Sequence, residues 1–373
     1  MIQPADFVKT LKFNNLGPVV EVPCSYLKDL FNYLWESKEI SVINPVNEAI
    51  AMGIASGFYL GSGKIPVIAI QNSGFMNTLN ALTSLNQIYK IPVFYIVTWR
   101  GEGGKGRDAP EHDIIGANLL KILKSFKLSY EIASDEMYPG QIAKLTQKAQ
   151  KTKKPVVLVI RKSFFADHNI QKNSIKDNAG ILSRLEAITV IKKTIGQKAL
   201  YISSTGFPTR DSFASTDTPD FYMVGSMGHT FAVGLGVAIN INKKVVIFDG
   251  DGSALMHIGG LASIDTEIHH NLIYIVLDNQ IYESTGGQPN RSININYRLI
   301  ARAFSFPLFF QVDGLDSLKN TIQKALTADV PSFIHIAVGS TESRASQRVS
   351  DKYSCQQIKI RFMRVASKSK KRL

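Results

Sequence analysis

The feature that most constrains the fold is a pair of apolar strands, each of which ends in polar side chains. The first lies in VVIFDGDGSALMHIGG (245–260), where a β-branched run passes into Asp-Gly-Asp-Gly-Ser and then into a helical pattern. The second lies in NLIYIVLDNQ (271–280) and ends in Asp-Asn. A strand–helix–strand crossover makes the two strands parallel, so their carboxyl ends lie at one edge of a sheet. Asp251 and Asn279 are therefore expected to lie close together.

This sheet edge has the properties of a magnesium–diphosphate site. Gly250 and Gly252 would let a ligand approach the backbone, and a helix beginning near Ser253 would direct its free N–H groups at a phosphate. An Asp carboxylate, an Asn amide oxygen and a loop carbonyl are the oxygen donors that Mg2+ prefers. A plain Asp-Gly turn is the alternative, but it does not account for the second polar strand end.

Hydrophobic periodicity predicts an α/β fold with two parallel-sheet domains. In the first half we expect strands at 18–22, 40–43, 66–70, 93–98 and 156–160, and helices at 26–36, 47–60, 76–89 and 141–151. In the second half we expect a helix at 182–194 and strands at 199–203, 222–224, 244–248, 272–277 and 333–337. The polar stretch HNIQKNSIKDNAG is typical of a linker. The predicted domains are 1–167 and 181–341, with the linker at 168–180 and a basic segment at 342–373.

Charge and composition exclude several classes of function. Residues 342–373 hold ten Lys and Arg against two acids, which is +8 of the net +13, and we expect this segment to be a solvated or disordered end. The remaining +5 does not favour nucleic-acid binding. Two cysteines, no apolar signal core and no apolar run of ~18–20 residues predict a cytoplasmic protein without disulfides or membrane association. The sequence contains no G-x-x-x-x-G-K-[ST] motif, and this disfavours a nucleotide-binding module.

Six blocks from both halves of the chain resemble phosphonopyruvate decarboxylase, a family of thiamine-diphosphate (ThDP) enzymes. They are VNEAIAMGIASGFYLGSGK (46–64), IQNSGFMNTLNALTSL (70–85), WRGEGGKGRDAPEH (99–112), VGSMGH (224–229), GDGSALMHIGGLASI (250–264) and DNQIYESTGGQP (278–289). The resemblance implies two ThDP-binding-fold domains, the first binding the cofactor's pyrimidine and the second its diphosphate. It also implies at least a homodimer, because in this class each site combines the first domain of one subunit with the second domain of another.

The resemblance assigns cofactor roles residue by residue. Asp251 and Asn279 would bind Mg2+ through their side chains, and Ile281 would bind it through its carbonyl oxygen. Gly225, Ser226, Met227 and Gly228 resemble the loop that contacts the cofactor, and Gly250, Gly252 and Ser253 belong to the turn expected to bind its phosphates. Glu48 would hydrogen-bond the aminopyrimidine ring, where a shared proton promotes the tautomer that activates the cofactor. The alternative for Glu48 is a structural one, because Asn-Glu at a helix start is also favoured by capping and by the helix dipole.

Candidates for proton transfer and substrate binding are weaker. His112 and His229 could deliver a proton after CO2 departs, although a single histidine is often structural. The paired N–H donors of an arginine guanidinium match the oxygens of an anionic head group. The other substrate candidates are polar residues at or near the end of a predicted strand. The substrate candidates are Ser25, Gln71, Asn72, Ser73, Arg100 and Arg107, with Arg344 and Arg348 as further arginines.

The chain departs from the family pattern in the substrate loops. Cys24 stands where the family commonly has Asp, Ala109 and Glu111 stand where an acid and a Gln are expected, and the same loop has an extra Gly-Lys-Gly. Gln280 stands where a Gly often follows the metal-binding Asn. These departures leave the substrate less well specified than the chemistry.

The predicted function is a ThDP- and Mg2+-dependent carboxy-lyase that converts 3-phosphonopyruvate, a small anionic 2-oxo acid, to phosphonoacetaldehyde and CO2. Sulfopyruvate decarboxylation is the nearest alternative; those enzymes are often split into two shorter chains, whereas this chain is continuous. A carboligase is more remote because its usual middle domain is missing. The alternative from another class is a non-catalytic ThDP-binding homologue, in which Cys24 marks decay of the site.

Overall fold

The protein folds into two compact α/β units. The computed structural model describes residues 1–168, 182–339 and 347–370. The first unit contains the described residues from Met1 to His168 together with Thr285–Gln288, and the second contains the remaining described residues. Each unit has one six-stranded sheet in which the paired strands run parallel. The predicted α/β class is confirmed, whereas most of the predicted linker lies outside the described residues.

The first unit has the strand order β2-β1-β3-β4-β6-β5. Its strands are β1 (Val19–Glu21), β2 (Val42–Ile43), β3 (Val67–Gln71), β4 (Phe94–Thr98), β5 (Ser129–Ile132) and β6 (Val156–Ile160). Its helices are α1 (Pro4–Phe13), α2 (Lys28–Ser37), α3 (Glu48–Ser62), α4 (Asn72–Asn77), α5 (Leu79–Ala81), α6 (Asp113–Ser125) and α7 (Tyr138–Thr152). The central strands are continuous apolar runs because helices cover both faces of the sheet.

The second unit has the strand order β13-β14-β10-β9-β7-β8. Its strands are β7 (Ala199–Ser203), β8 (Phe221–Tyr222), β9 (Lys244–Gly250), β10 (Leu272–Asp278), β13 (Leu308–Val312) and β14 (Ser332–Ala337), with the short strands β11 (Ile281–Tyr282) and β12 (Gln288–Pro289) outside this sheet. Its helices are α8 (Arg184–Ile195), α9 (Phe207–Ser215), α10 (Thr230–Ala238), α11 (Asp251–Met256), α12 (Tyr297–Ala303), α13 (Leu315–Thr327), α14 (Val349–Lys352) and α15 (Cys355–Ala366). Strands β9 and β10 are adjacent and parallel, with Leu277 opposite Gly250. The crossover predicted from the sequence is therefore present.

Each sheet contains one strand that the sequence pattern did not predict. Strand β5 is half-buried along its whole length and lacks an apolar run, and β13 begins directly after Pro307. The predicted helix at 76–89 is instead α4, α5 and a turn of π-helix at Leu82–Gln87, and it begins four residues earlier at Asn72.

The basic C-terminal segment is folded over residues 347–370, so the prediction of a solvated or disordered end is wrong for this part. A capping box at Ser354 and Gln357 starts α15, whose Ile358 and Phe362 are buried. The Asp217 carboxylate accepts hydrogen bonds from Lys352, Tyr353 and Arg361. Apolar residues spaced along one helix face account for this packing despite the high charge.

Two expectations from composition can be compared with the described residues. Cys24 is buried and Cys355 is exposed, and the two are not joined by a disulfide bond. No helix in the described ranges combines the length and apolar character that crossing a membrane requires.

Candidate active site

The carboxyl ends of β9 and β10 bring the predicted metal ligands of the second unit to one cleft. This cleft is lined by Met227, Gly250, Asp251, Gly252, Ser253, Asn279 and Ile281, among other residues. Asp251 Oδ1 accepts from the N–H of Gly252 at 2.7 Å, and its Oδ2 accepts from the N–H of Gln280 at 2.6 Å. Asp251 is thereby hydrogen-bonded to the loop that carries Asn279, as the parallel crossover predicts.

Two buried carboxyl groups lie together behind this cleft. Burial and the neighbouring Asp278 raise the pKa of Asp251 to about 8. Burial alone would also raise the pKa of Asp278, but a hydrogen bond from His335, whose Nε2 lies 2.9 Å from Asp278 Oδ2, lowers it. Ionisation of Asp251 is therefore disfavoured, and a divalent cation bound beside it would favour the ionised form.

Close packing explains the glycines and one unusual backbone conformation of this site. A Cβ on Gly252 would lie 2.6 Å from the ring of Tyr282, and a Cβ on Gly228 would lie 2.5 Å from Nδ1 of His257. The N–H of Gly228 donates to Ser253 Oγ at 3.0 Å, which joins the 225–228 loop to α11. Gln280 has φ of 63°, a left-handed conformation that glycine adopts without strain. A glycine at position 280 would therefore adopt this conformation more readily than glutamine does.

The donor set fits Mg2+ and a diphosphate. Among the described residues, no group of three or more His, Cys, Asp or Glu side chains has the arrangement of metal ligands. The predicted set instead combines the Asp251 carboxylate with the amide oxygen of Asn279 and the carbonyl of Ile281, which are hard oxygen donors. Gly250 and Gly252 line the same cleft as these donors.

In the first unit, Glu48 is held against α4. Its Oε2 accepts from Asn77 Nδ2 at 3.0 Å, and its Oε1 packs directly against Gly74. The N-cap of α3 is Asn47, whose side chain accepts from the N–H of Ile50 at 2.9 Å. The Glu48 side chain is therefore not the cap of the helix that it begins.

Five of the predicted substrate residues of the first unit, Ser25, Gln71, Asn72, Ser73 and Arg100, form one hydrogen-bonded cluster at the carboxyl ends of β3 and β4. The buried Cys24 thiol lies 3.6 Å from Gln71 Oε1 and 3.3 Å from Thr98 Oγ1, and Gln71 Nε2 donates to Ser73 Oγ. Burial raises the pKa of the Cys24 thiol. Asn72 Nδ2 donates to the carbonyl of Arg100 at 2.8 Å, which connects this cluster to the next loop.

The Arg100 guanidinium is paired with an acid in the same loop. Its Nε and Nη2 donate to the two oxygens of Asp108 at 2.8 and 2.7 Å, and its Nη1 lies 3.4 Å from Ser25 Oγ. The Tyr26 hydroxyl also donates to Asp108. Burial opposes ionisation of Asp108, but these hydrogen bonds hold its pKa well below the ordinary range. Only the edge of the Arg100 guanidinium that faces away from Asp108 can therefore contact a ligand, and the Arg100–Asp108 pair carries little net charge.

Comparison with known proteins matches both halves of this arrangement. Residues 5–119 match the model "Thiamine pyrophosphate enzyme, N-terminal TPP binding domain", and residues 206–336 match "Thiamine pyrophosphate enzyme, C-terminal TPP binding domain". The phosphonopyruvate decarboxylase of Streptomyces viridochromogenes is 30% identical over 369 residues, covering 94% of this chain and 92% of that protein. The chain belongs to the phosphonopyruvate decarboxylase family of ThDP enzymes. The resemblance and the enzyme class predicted from the sequence are confirmed, and the protein is a ThDP-dependent decarboxylase of the phosphonopyruvate or sulfopyruvate type.

Chain continuity does not separate the two types within this family. The sulfopyruvate decarboxylase of Methanosarcina acetivorans is 29% identical over 351 residues and covers 88% of this chain and 89% of that protein. The sulfopyruvate decarboxylase subunit beta of Methanothermobacter thermautotrophicus is 37% identical, but covers only 42% of this chain and 83% of that subunit. Because one sulfopyruvate relative matches nearly the whole chain, continuity of the chain does not decide between phosphonopyruvate and sulfopyruvate.

The two candidate histidines of this decarboxylase occupy different environments. His112 is buried and directly precedes α6, with Nε2 3.8 Å from Glu111 Oε1. His229 is exposed at the start of α10, and its ring centre lies 4.7 Å from that of His257. Among the other arginine candidates, Arg107 is exposed, Arg348 precedes α14, and Arg344 lies outside the described residues.

Several functional candidates of this decarboxylase were missed from the sequence. The cleft of the second unit is also lined by Arg184, Ser204, Thr205, Gly206, Phe207 and Pro208. Five of these directly follow β7, so the rule that parallel strands present ligands at their carboxyl ends could have found them. The sequence contained no comparable signal for Arg184, which lies at the start of a helix.

Proposed function

We propose that this decarboxylase acts on 3-phosphonopyruvate with ThDP and Mg2+. The bond between the carboxylate and the 2-oxo carbon breaks, CO2 leaves, and a proton takes its place, giving phosphonoacetaldehyde. The observation that carries the proposal is the match to a phosphonopyruvate decarboxylase along 94% of the chain. The two matched domain models include Glu48 and the loop from Asp251 to Ile281.

In this proposal the second unit binds the metal and the diphosphate. Asp251, Asn279 and the carbonyl of Ile281 hold Mg2+, and the turn at Gly250, Gly252 and Ser253 lines the cleft beside them. The bound cofactor supplies the nucleophilic carbon and the electron sink of the reaction. The chain supplies orientation and electrostatic stabilisation.

Glu48 is proposed to hold a proton facing the cofactor's pyrimidine. Because Asn47 caps α3, the carboxylate of Glu48 is not needed for capping. Its hydrogen bond from Asn77 and its packing on Gly74 fix the position of both oxygens. His229, next to the 225–228 loop, and His112 are the proposed proton donors for the carbon that loses CO2.

The substrate is proposed to contact the cluster of the first unit. Gln71, Asn72 and Ser73 stand at the end of β3, and Ser25 and one edge of Arg100 stand beside them. Arg107 lies in the same glycine-rich loop as Arg100 and adds an exposed cation for the anionic head group.

We also propose a cytoplasmic homodimer with composite sites. Helix α3 exposes Ile50 and Leu60, and the exposed Gly53 and Gly57 between them have open space beyond their α-carbons. An exposed apolar helix face that contains glycines lets another helix approach its backbone closely, and this suits packing between subunits.

Sulfopyruvate is the second candidate substrate. A sulfonate carries one negative charge, whereas a phosphonate carries up to two. Because Asp108 neutralises Arg100, the buried part of the cluster is not strongly cationic and also suits the less charged head group.

Product analysis tests the proposal. Purified protein with ThDP and Mg2+ is incubated with phosphonopyruvate, sulfopyruvate and pyruvate, and products are followed by 31P and 1H NMR together with CO2 release. We expect phosphonoacetaldehyde to form fastest, sulfopyruvate to react more slowly and pyruvate poorly. Faster turnover of sulfopyruvate would change the substrate and keep the reaction, and no CO2 from any of the three would overturn the proposed function.

A further inference from the structure

The metal-ligand loop of the second unit is attached to a buried arginine that the proposed function does not use. Arg184 begins α8 directly after its N-cap, Ser183. Its side chain is 4% exposed, and its Nε donates to Asp211 Oδ2 at 2.7 Å. Its Nη2 lies 2.9 Å from Oε2 of Glu283, whose side chain is 13% exposed. Arg184 thus joins α8 and α9 to the loop after β10.

Glu283 passes this attachment on to the predicted metal ligand Asn279. The same oxygen, Oε2, accepts a hydrogen bond from Asn279 Nδ2 at 3.0 Å. The other polar atom of the amide, Oδ1, accepts from the N–H of Ile281 at 3.3 Å. An amide can turn over and exchange its oxygen and nitrogen, and only the oxygen can bind a cation. The carboxylate of Glu283 can only accept, so it holds the nitrogen side of Asn279 and leaves the oxygen for the metal.

Arg184 in turn holds Glu283 in place through this ion pair. A buried carboxylate without a cation beside it would turn towards water. A displaced Glu283 would no longer fix the Asn279 amide in one orientation. The buried ion pair therefore acts on the metal through a hydrogen bond to a ligand, an arrangement that typically changes metal affinity by ~10–100-fold.

We propose that Glu283 and Arg184 are positioning residues that select the metal-binding orientation of the Asn279 amide. The inference rests on the proposed Mg2+-dependent binding of ThDP. It adds to that function two residues that do not themselves bind the metal.

The test measures the Mg2+ concentration at which ThDP binding is half-maximal, by calorimetry on chelator-treated protein. We expect Glu283→Gln to raise this midpoint ~10–100-fold, because glutamine can donate as well as accept and no longer selects one amide orientation. Asp220→Asn is the matched control, since it breaks the buried ion pair of Lys192 and Asp220 in the same unit. The control should lower the thermal midpoint and leave the Mg2+ midpoint within twofold.

A double variant separates positioning from general destabilisation. Asn279→Asp has two equivalent oxygens but is repelled by Glu283, so it should weaken Mg2+ binding. Adding Glu283→Gln replaces that repulsion with a hydrogen bond and should restore the Mg2+ midpoint of Asn279→Asp by at least ~tenfold. If Glu283 had only a structural role, the losses of Mg2+ affinity caused by Asn279→Asp and by Glu283→Gln would instead add in the double variant.

The outcomes distinguish this inference from the function on which it rests. ThDP binding by the wild type without any metal would overturn the metal-dependent function. Metal-dependent binding by the wild type with an unchanged midpoint in Glu283→Gln would overturn the inference alone. If Glu283→Gln does not fold, Glu283→Asp replaces it, because the shorter side chain keeps the charge beside Arg184 and withdraws from Asn279; an unchanged midpoint in that variant is equally decisive.

Discussion

Oε1 of Glu48 lies so close to Gly74 that a methyl group on that residue would come within 2.2 Å of the oxygen. The position of the Glu48 carboxylate therefore depends on the absence of a side chain at residue 74. This relationship connects α3 and α4 and can be tested without altering Glu48.

Gly74→Ala should displace the Glu48 carboxylate while the first unit remains folded. We expect a loss of ~1–3 kcal/mol in stability from overpacking and a clear slowing of hydrogen exchange at C2 of bound ThDP, measured by NMR. Gly140→Ala in α7 is the control, because nothing lies within 4 Å of the added carbon. Equal exchange rates in the two variants would show that residue 74 does not influence the function of Glu48.

Glu48→Gln should leave the helix start intact, because Asn47 provides the cap. Glutamine cannot share a proton with the pyrimidine, so we expect C2 exchange to slow by roughly 10²–10⁴-fold. The complementary variant Asn47→Ala should lose ~1 kcal/mol of stability and keep fast exchange. Wild-type exchange in Glu48→Gln would return this residue to a structural role.

Asp251→Ala should abolish metal-dependent ThDP binding. The variant removes the only carboxylate of the proposed ligand set and also the acceptor for the N–H of Gln280. Calorimetry at saturating Mg2+ measures the effect. Unchanged ThDP affinity in the folded variant would contradict the assignment of the metal site.

Cys24→Asp should weaken turnover of anionic substrates. Cys24 is fully buried against Gln71 and Thr98, so a substitution there would act on the substrate through these side chains and through any charge that it introduces. A new carboxylate would repel an anionic head group, and we expect kcat/KM for phosphonopyruvate to fall roughly ten- to a hundredfold relative to pyruvate. Cys24→Ser keeps a neutral donor and should retain the wild-type ratio of kcat/KM for phosphonopyruvate to kcat/KM for pyruvate. Equal ratios in the wild type and both variants would show that residue 24 does not contribute to substrate selection.

Glu21 should make stability fall as pH rises. Burial raises its pKa from 4.5 to about 7, against opposing hydrogen bonds from Trp35 and Asn44. The folded state therefore binds the proton more tightly than the unfolded state, so the contribution is full below pH 4.5 and is lost as pH rises to about 7. This raised pKa corresponds to about 3 kcal/mol. Glu21→Gln should have a higher thermal midpoint than the wild type at pH 8 and a similar one at pH 5, whereas the exposed Glu136→Gln should show no such dependence.

The sequence predicted the parts of the site that follow from local pattern. Asp251 and the Asn279 loop were predicted to meet because β9 and β10 are apolar runs joined by a crossover, and parallel strands share a carboxyl edge. Glu48 was predicted from its surrounding block, but its contact with Gly74 depends on how α3 packs against α4. The pairing of Arg100 with Asp108 and of Arg184 with Glu283 depends on side-chain directions in loops, which no periodicity specifies.

The C-terminal helix has a practical consequence for handling this protein. Strand β8 is the outer strand of its sheet, and α15 packs against it, with the ring centre of Phe362 5.6 Å from that of Phe221. Without α15, Phe221 and the apolar surface around it would lose this cover, and exposed apolar patches promote association. A gene shortened before residue 347, as the basic composition would invite, should therefore yield protein that self-associates and precipitates, and purification tags are better placed at the amino terminus.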